Sequence, residues 1–155
     1  MAIQKKINIQ NKKARFEYEI LDKYTACIQL TGTEIKSIRE SKARITESFC
    51  EFNDKGELFI VNMFIEEYLY GHHFNHKTTS ERRLLLNKKE LRSLKKDVEA
   101  KGNTIVPLRL FLNENGWAKL EIALAKGKKI HDKRETIKNR DSKRDLARIK
   151  KIFNT

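Results

Sequence analysis

Apolar and polar positions along the chain change their period several times before residue 126, and apolar positions become sparse after it. Tyr18 to Leu30 alternates, which predicts one long strand bent near Asp22 and Lys23. Thr31-Gly32-Thr33 stops that strand and supplies a helix N-cap at Thr31 or Thr33. Glu34 suits the first helical turn, and Ile35 and Ile38 form a short apolar stripe running to Arg39. Strand character returns over Arg44 to Phe52 and over Glu57 to Ile65, with Asp54-Lys55-Gly56 as the turn of a hairpin. Tyr68 to Glu81 is polar loop sequence with interspersed rings. Arg82 to Leu86 reads as a short strand leading into a helix capped by Asn87, with Glu90 three residues on. Leu91, Leu94 and Val98 share one face of that helix, which stops at Lys101-Gly102. Two further strands, Thr104 to Leu112 and Trp117 to Ala125, flank a turn at Asn113 to Gly116.

About six strands separated by short turns, with too few helices to cover a parallel sheet, predict a mainly β fold: an antiparallel barrel with two or three short helices. The oligonucleotide-binding type is the commonest small barrel with nucleic-acid partners. The expected organisation is a barrel domain over 1–125 followed by a basic tail over 126–155.

Charge adds the tail to that picture. Lys126 to Thr155 holds twelve basic and four acidic residues, and so +8 of the net +13 of the 155-residue chain. Within it Ile130 and Ile137 are isolated among charges, and later Leu146, Ile149 and Phe153 fall on one helical face. Such a segment buries too little apolar surface to fold alone, and is expected to be disordered when free and helical against a polyanion. A protein this basic is expected to seek polyanions, because each Lys or Arg facing a phosphate releases a counterion. Charge alone leaves open RNA, DNA, an anionic surface, or a solubilising tail with no specific partner.

Candidate chemistry narrows the choice by what is missing. Cys27 and Cys50 stand far apart, too few for a disulfide framework and too distant for a zinc site, so both are expected to be reduced thiols in a cytoplasmic protein. No signal peptide and no apolar run of membrane-spanning length is read, so no membrane partner is expected. His72, His73 and His76 lack further ligands at metal spacing and read as loop histidines; no metal and no cofactor is expected. Glu66-Glu67 reads as a solvated strand end. No nucleophile with its base and no glycine-rich phosphate cradle is present, so no enzymatic activity is expected. The positive signal is Asn11-Lys12-Lys13-Ala14-Arg15 followed by Phe16 and Tyr18, basic residues beside rings that could stack on exposed bases. An ordinary solvated start to a strand is the plain alternative.

The same residues resemble a known family. Asn11 to Arg15 with Tyr18-Glu19-Ile20, then Leu30 to Arg39 with Lys42-Ala43, are similar to two stretches of the SsrA-binding proteins. Phe74-Asn75-His76, Arg83 to Lys88, Val106-Pro107-Leu108 and Ala125 to Arg134 continue the similarity in the family's order over nearly the whole chain.

The resemblance implies a six-stranded barrel that binds the tRNA-like domain of transfer-messenger RNA and delivers it to stalled ribosomes in trans-translation, acting as a monomer. It places RNA contacts at Asn11, Lys12, Lys13, Arg15, Thr25 and Leu85. In the tail, Gly127, Lys128, Lys129, His131, Asp132, Lys133 and Arg134 match the segment that meets the decoding centre and the empty messenger channel. Two departures stand out. Thr25-Ala26-Cys27 replaces the family's usual glutamate followed by Ala-Gly, which exchanges an ionised acceptor for a neutral hydroxyl. Lys77-Thr78-Thr79-Ser80 replaces a proline-bearing loop. The rival functions are a general single-strand-binding barrel and a magnesium-dependent nuclease.

Overall fold

Strand alternation and turn chemistry together close a barrel. The computed structural model describes residues 6–100 and 102–127. In chain order the elements are β1 (Asn8–Gln10), α1 (Lys12–Glu17), β2 (Tyr18–Ile28), α2 (Gly32–Arg39), β3 (Ala43–Arg44), β4 (Phe49–Phe52), β5 (Leu58–Val61) and β6 (Phe64–Ile65). A 3-10 turn at His72–Phe74 precedes β7 (Arg82–Leu85), α3 (Lys88–Val98), β8 (Asn103–Leu112) and β9 (Ala118–Gly127). The main sheet runs β1-β8-β4-β5-β7-β2-β9, and β9 pairs back onto β8. Six strands, β8-β4-β5-β7-β2-β9, therefore form an antiparallel ring, the expected fold class. Strand β1 extends the ring by pairing with the C-terminal half of β8, while β4 meets the N-terminal half at Ile105.

The predicted long strands break where the backbone has a reason to break. Ser48 turns the chain back on Ile45, its backbone N–H and its Oγ both donating to the Ile45 carbonyl, so the run 44–52 becomes β3 and β4. Asn62 adopts φ 64°, a left-handed value that asparagine tolerates, and its side-chain amide donates to the Glu47 carbonyl. That divides 57–65 into β5 and β6, and the freed pieces β3 and β6 pair as a small ribbon. The bend foreseen near Asp22 is a register shift between Ile20 and Asp22. A second shift, between Pro107 and Arg109, accommodates the chain's one proline, which has no N–H to give a ladder.

The interior is filled by Leu58, Ile60, Leu84, Ile105, Leu110, Leu120 and Ile122, all almost fully buried. Leu94 of α3 and Ile38 of α2 pack into the same core. Asn87 caps α3 as expected, accepting from the Glu90 N–H at 2.8 Å. Thr31 is the N-cap of α2, and its N–H donates to Glu34 Oε1 at 2.9 Å. The proposed tail begins inside a strand: Lys126 and Gly127 still belong to β9, opposite Glu19 and Tyr18 of β2. Lys128, Lys129, His131, Asp132, Lys133 and Arg134 lie outside the described residues.

Candidate nucleic-acid interface

The basic segment at 11–15 is a helix rather than the start of a strand. Asn11 caps it, its Oδ1 accepting from the Ala14 N–H at 3.2 Å. The Asn11 amide donates to the carbonyl of Pro107 at 2.9 Å and of Ile45 at 3.4 Å, and its backbone N–H donates to Leu108. Asn11 is only 2% exposed, so it anchors α1 to the bulge of β8 and offers little of itself to a ligand. Beneath the helix, Ala14 packs with Val106, Leu108, Ala123 and Ala125, and the three alanines let it lie close to the barrel wall. Lys12, Lys13 and Arg15 are exposed. Lys13 Nζ lies 2.9 Å from Glu47 Oε1 and 4.0 Å from Glu17 Oε1. The Glu47 hydrogen bond, followed by the charges of Glu47 and Glu17, holds its ammonium above the usual lysine range.

Ala123 and Ala125, covered by α1, continue along β9 into an uncovered stretch of the same outward face. Alternation sends Lys119 and Glu121 outward, while Ala118, Leu120 and Ile122 point into the core. The strand register lines these positions up with their neighbours in rows. One row reads Phe111, Lys119, Cys27 and Leu85 across β8, β9, β2 and β7. The next reads Arg109, Glu121 and Thr25 across β8, β9 and β2. Thr25 is exposed and Leu85 is 45% exposed. Between them Lys119 Nζ stands 2.7 Å from Cys27 Sγ. Arg109 lies over the Phe111 ring, 4.2 Å from its centroid, and its Nε donates to Glu121 Oε2 at 3.2 Å. Trp117, immediately before β9, is 70% exposed.

Five of the sequence-derived contact positions, Lys12, Lys13, Arg15, Thr25 and Leu85, thus stand exposed on or beside one wall, and Asn11 sits under it. Sequence reasoning missed Lys119, Glu121 and Arg109. Alternation within Trp117 to Glu121 marks Lys119 and Glu121 as one face of a strand. Which strand lies beside them is set by the closed ring, which no local pattern reveals.

The histidines divide. His76 ties its loop to α2 and β6, with Nδ1 2.9 Å from Thr33 Oγ1 and Nε2 3.0 Å from the Ile65 carbonyl. Among the described residues no three His, Cys, Asp or Glu side chains gather as a metal site, and no helix is long and apolar enough to cross a membrane. Both cysteines are free thiols, Cys50 buried and Cys27 half-buried.

A closed antiparallel barrel with a basic helix on its outer wall is a barrel of oligonucleotide-binding type. Comparison with known proteins makes the assignment particular. The SmpB protein family matches residues 8–152, and the chain belongs to that family. The SsrA-binding protein of Flavobacterium psychrophilum is 68% identical over 149 residues, spanning 96% of this chain and 99% of that protein. The SsrA-binding protein of Bacteroides thetaiotaomicron is 56% identical, spanning 94% of this chain and 97% of its own. A solved structure described as "tmRNA-SmpB: a journey to the center of the bacterial ribosome" superposes with a TM-score of 0.67 at 47% identity, covering 80% of this chain and 86% of the other.

Proposed function

We propose that this protein binds the tRNA-like domain of transfer-messenger RNA and delivers it to stalled ribosomes, acting as a binding adaptor rather than as an enzyme. The observation that carries the reading is the adjacency of α1 to the outward rows holding Thr25 and Leu85, in a chain of the SmpB family. Lys12, Lys13 and Arg15 meet phosphates, Thr25 and Leu85 meet the bases or sugars they present, and Asn11 fixes the helix that carries the cations. Cationic contact positions an RNA, while contacts to unstacked bases select it.

The segment 126–155, with its charge of +8, is the second functional part. Gly127 closes β9 and leads into Lys128, Lys129, His131, Asp132, Lys133 and Arg134, which enter the messenger channel left empty on a stalled ribosome, where phosphate lines the path. A helix of about 20 residues would reach about 30 Å along it. An occupied channel excludes the tail sterically. The protein works as a monomer in the cytoplasm, where its ribosomal partner is.

The test is equilibrium binding of the full chain, and of a chain ending at Ala125, to the folded tRNA-like domain at near-physiological salt with unstructured RNA as competitor. Both chains are expected to hold the folded domain against competitor, and only the full chain to support tagging on stalled ribosomes. Equal competition by unstructured RNA would reduce the protein to a general single-strand binder. Metal-dependent cleavage of the RNA would make it a nuclease.

A further inference from the structure

A wall that met only phosphates would gain nothing from a carboxylate at its centre. Glu121 is such a carboxylate: it lies between Arg109 on β8 and Thr25 on β2, two residues along β9 from Lys119. Its side chain is 19% exposed, so its neighbours hold it in place and leave an edge open. Arg109 Nε occupies Oε2, while Oε1 has no hydrogen-bond partner among the described residues. Thr25, directly across the strand pair, exposes a hydroxyl that is likewise without one. The row therefore offers a fixed acceptor and an adaptable hydroxyl side by side. In the next row, half-exposed Leu85 beside Cys27 gives a flat ring an apolar surface to rest against.

Phosphates only accept hydrogen bonds, and they repel a carboxylate. Groups that donate to a carboxylate on RNA are the amino and imino edges of unpaired bases and the ribose hydroxyl. Of these, only a base edge carries sequence and also has a face to lay on Leu85. We infer that Glu121, with Thr25 beside it, is a specificity residue of this wall, accepting hydrogen bonds from the amino or imino edge of an unpaired nucleobase in the tRNA-like domain. Arg109 orients the carboxylate and leaves one oxygen for the base. This inference rests on the function proposed above.

The sign of one substitution tests it. Glu121→Gln preserves the shape and removes a negative charge from a surface that binds a polyanion. Were Glu121 only the ion-pair partner of Arg109, the change would leave RNA binding unaltered or tighten it. As a base acceptor its loss is expected to weaken binding of the folded domain about tenfold, the usual scale for one charge-assisted hydrogen bond. Unstructured RNA of the same length is expected to bind the variant equally well or better. A second variant moves the carboxylate across the strand pair, Thr25→Glu together with Glu121→Gln, and is expected to recover most of the lost affinity. Dissociation constants would be measured on the full-length chains, with thermal unfolding of each to show that it folds. Unchanged or tighter binding of the folded domain by Glu121→Gln overturns the inference, and so does equal weakening on both RNAs without recovery in the double variant. Failure of the unsubstituted chain to prefer the folded domain would instead overturn the function proposed above.

Discussion

Arg82 and Glu34 meet beneath α2 with both side chains buried, whereas Arg109 and Glu121 meet on the outer wall with side chains 36% and 19% exposed. The inner pair uses nearly all of its hydrogen-bonding capacity. Arg82 Nε donates to Glu34 Oε2, Nη1 to the Met63 carbonyl at 2.6 Å, and Nη2 to the carbonyls of Lys77 and Thr78 at 3.1 and 3.2 Å. The other oxygen of Glu34 accepts from the Thr31 N–H. Four of the five guanidinium N–H groups and both carboxylate oxygens are spent on tying α2, the turn before β6 and the loop before β7 to one another. The outer pair spends one nitrogen and one oxygen. The same two residue types thus build a joint in one place and leave a reading edge in the other, and what distinguishes them is how much of their hydrogen-bonding capacity the fold consumes.

The largest effect should come from breaking the joint. Glu34→Ala leaves the Arg82 guanidinium buried without its counter-charge, and is expected to cost about 3–5 kcal/mol of unfolding free energy. Arg109→Ala, on the half-exposed pair, is expected to cost below about 1 kcal/mol. Urea denaturation of both variants checks this, through midpoints compared at unchanged slope. Comparable losses for the two would erase the distinction drawn between them.

Asn11→Ala comes next. It removes the cap of α1 and the amide's bonds to the carbonyls of Pro107 and Ile45, for an expected loss of about 1–3 kcal/mol. Because the helix carrying Lys12, Lys13 and Arg15 would fray, affinity for the folded RNA should fall along with protection of the Ala14 amide from hydrogen exchange. Intact protection with lost affinity would instead show Asn11 acting on the RNA directly.

Lys12→Ala should do the opposite: leave stability within about 0.5 kcal/mol and weaken folded and unstructured RNA alike. Its signature is a log–log salt slope shallower by about one. Against Glu121→Gln, which should discriminate between the two RNAs, this separates a positioning cation from a selecting acceptor on one wall.

Much of this fold is written in local pattern. The strand beginning at Tyr18, the cap at Asn87 and the turn at Asn113 to Gly116 each follow from a few adjacent residues, and each is found where it was expected. What local pattern missed depends on partners distant in sequence. The helix at Lys12 exists because Asn11 finds Pro107 and Ile45, 96 and 34 residues away. The break at Asn62 depends on the Glu47 carbonyl. His76 reads as one more loop histidine until Thr33 and Ile65 are seen on either side of it. The wall shows the same limit. Its cations are visible as charge, but Glu121 looks like any polar residue of an alternating strand until the register sets it opposite Thr25.

The smallest effect sharpens the same contrast between inside and outside in the two thiols. Burial pushes the Cys50 thiol far above its ordinary value of 9.0, because ionising it would strand a thiolate in the core. Cys27 faces the outer wall beside Lys119. Iodoacetamide is therefore expected to modify Cys27 in the native protein and Cys50 only on unfolding. The pH dependence follows from linkage: above about pH 9 an unfolded Cys50 loses its proton while the folded one keeps it, so the unfolded state is favoured and stability falls as pH rises. Burial raises Tyr24 as well, and its contribution has the same sign at higher pH. Cys50→Ala removes the thiol's part and leaves that of Tyr24, so the stability difference between the two chains should narrow or change sign from pH 8 to pH 10. A constant difference across that range would mean that the thiol opens to water before it ionises.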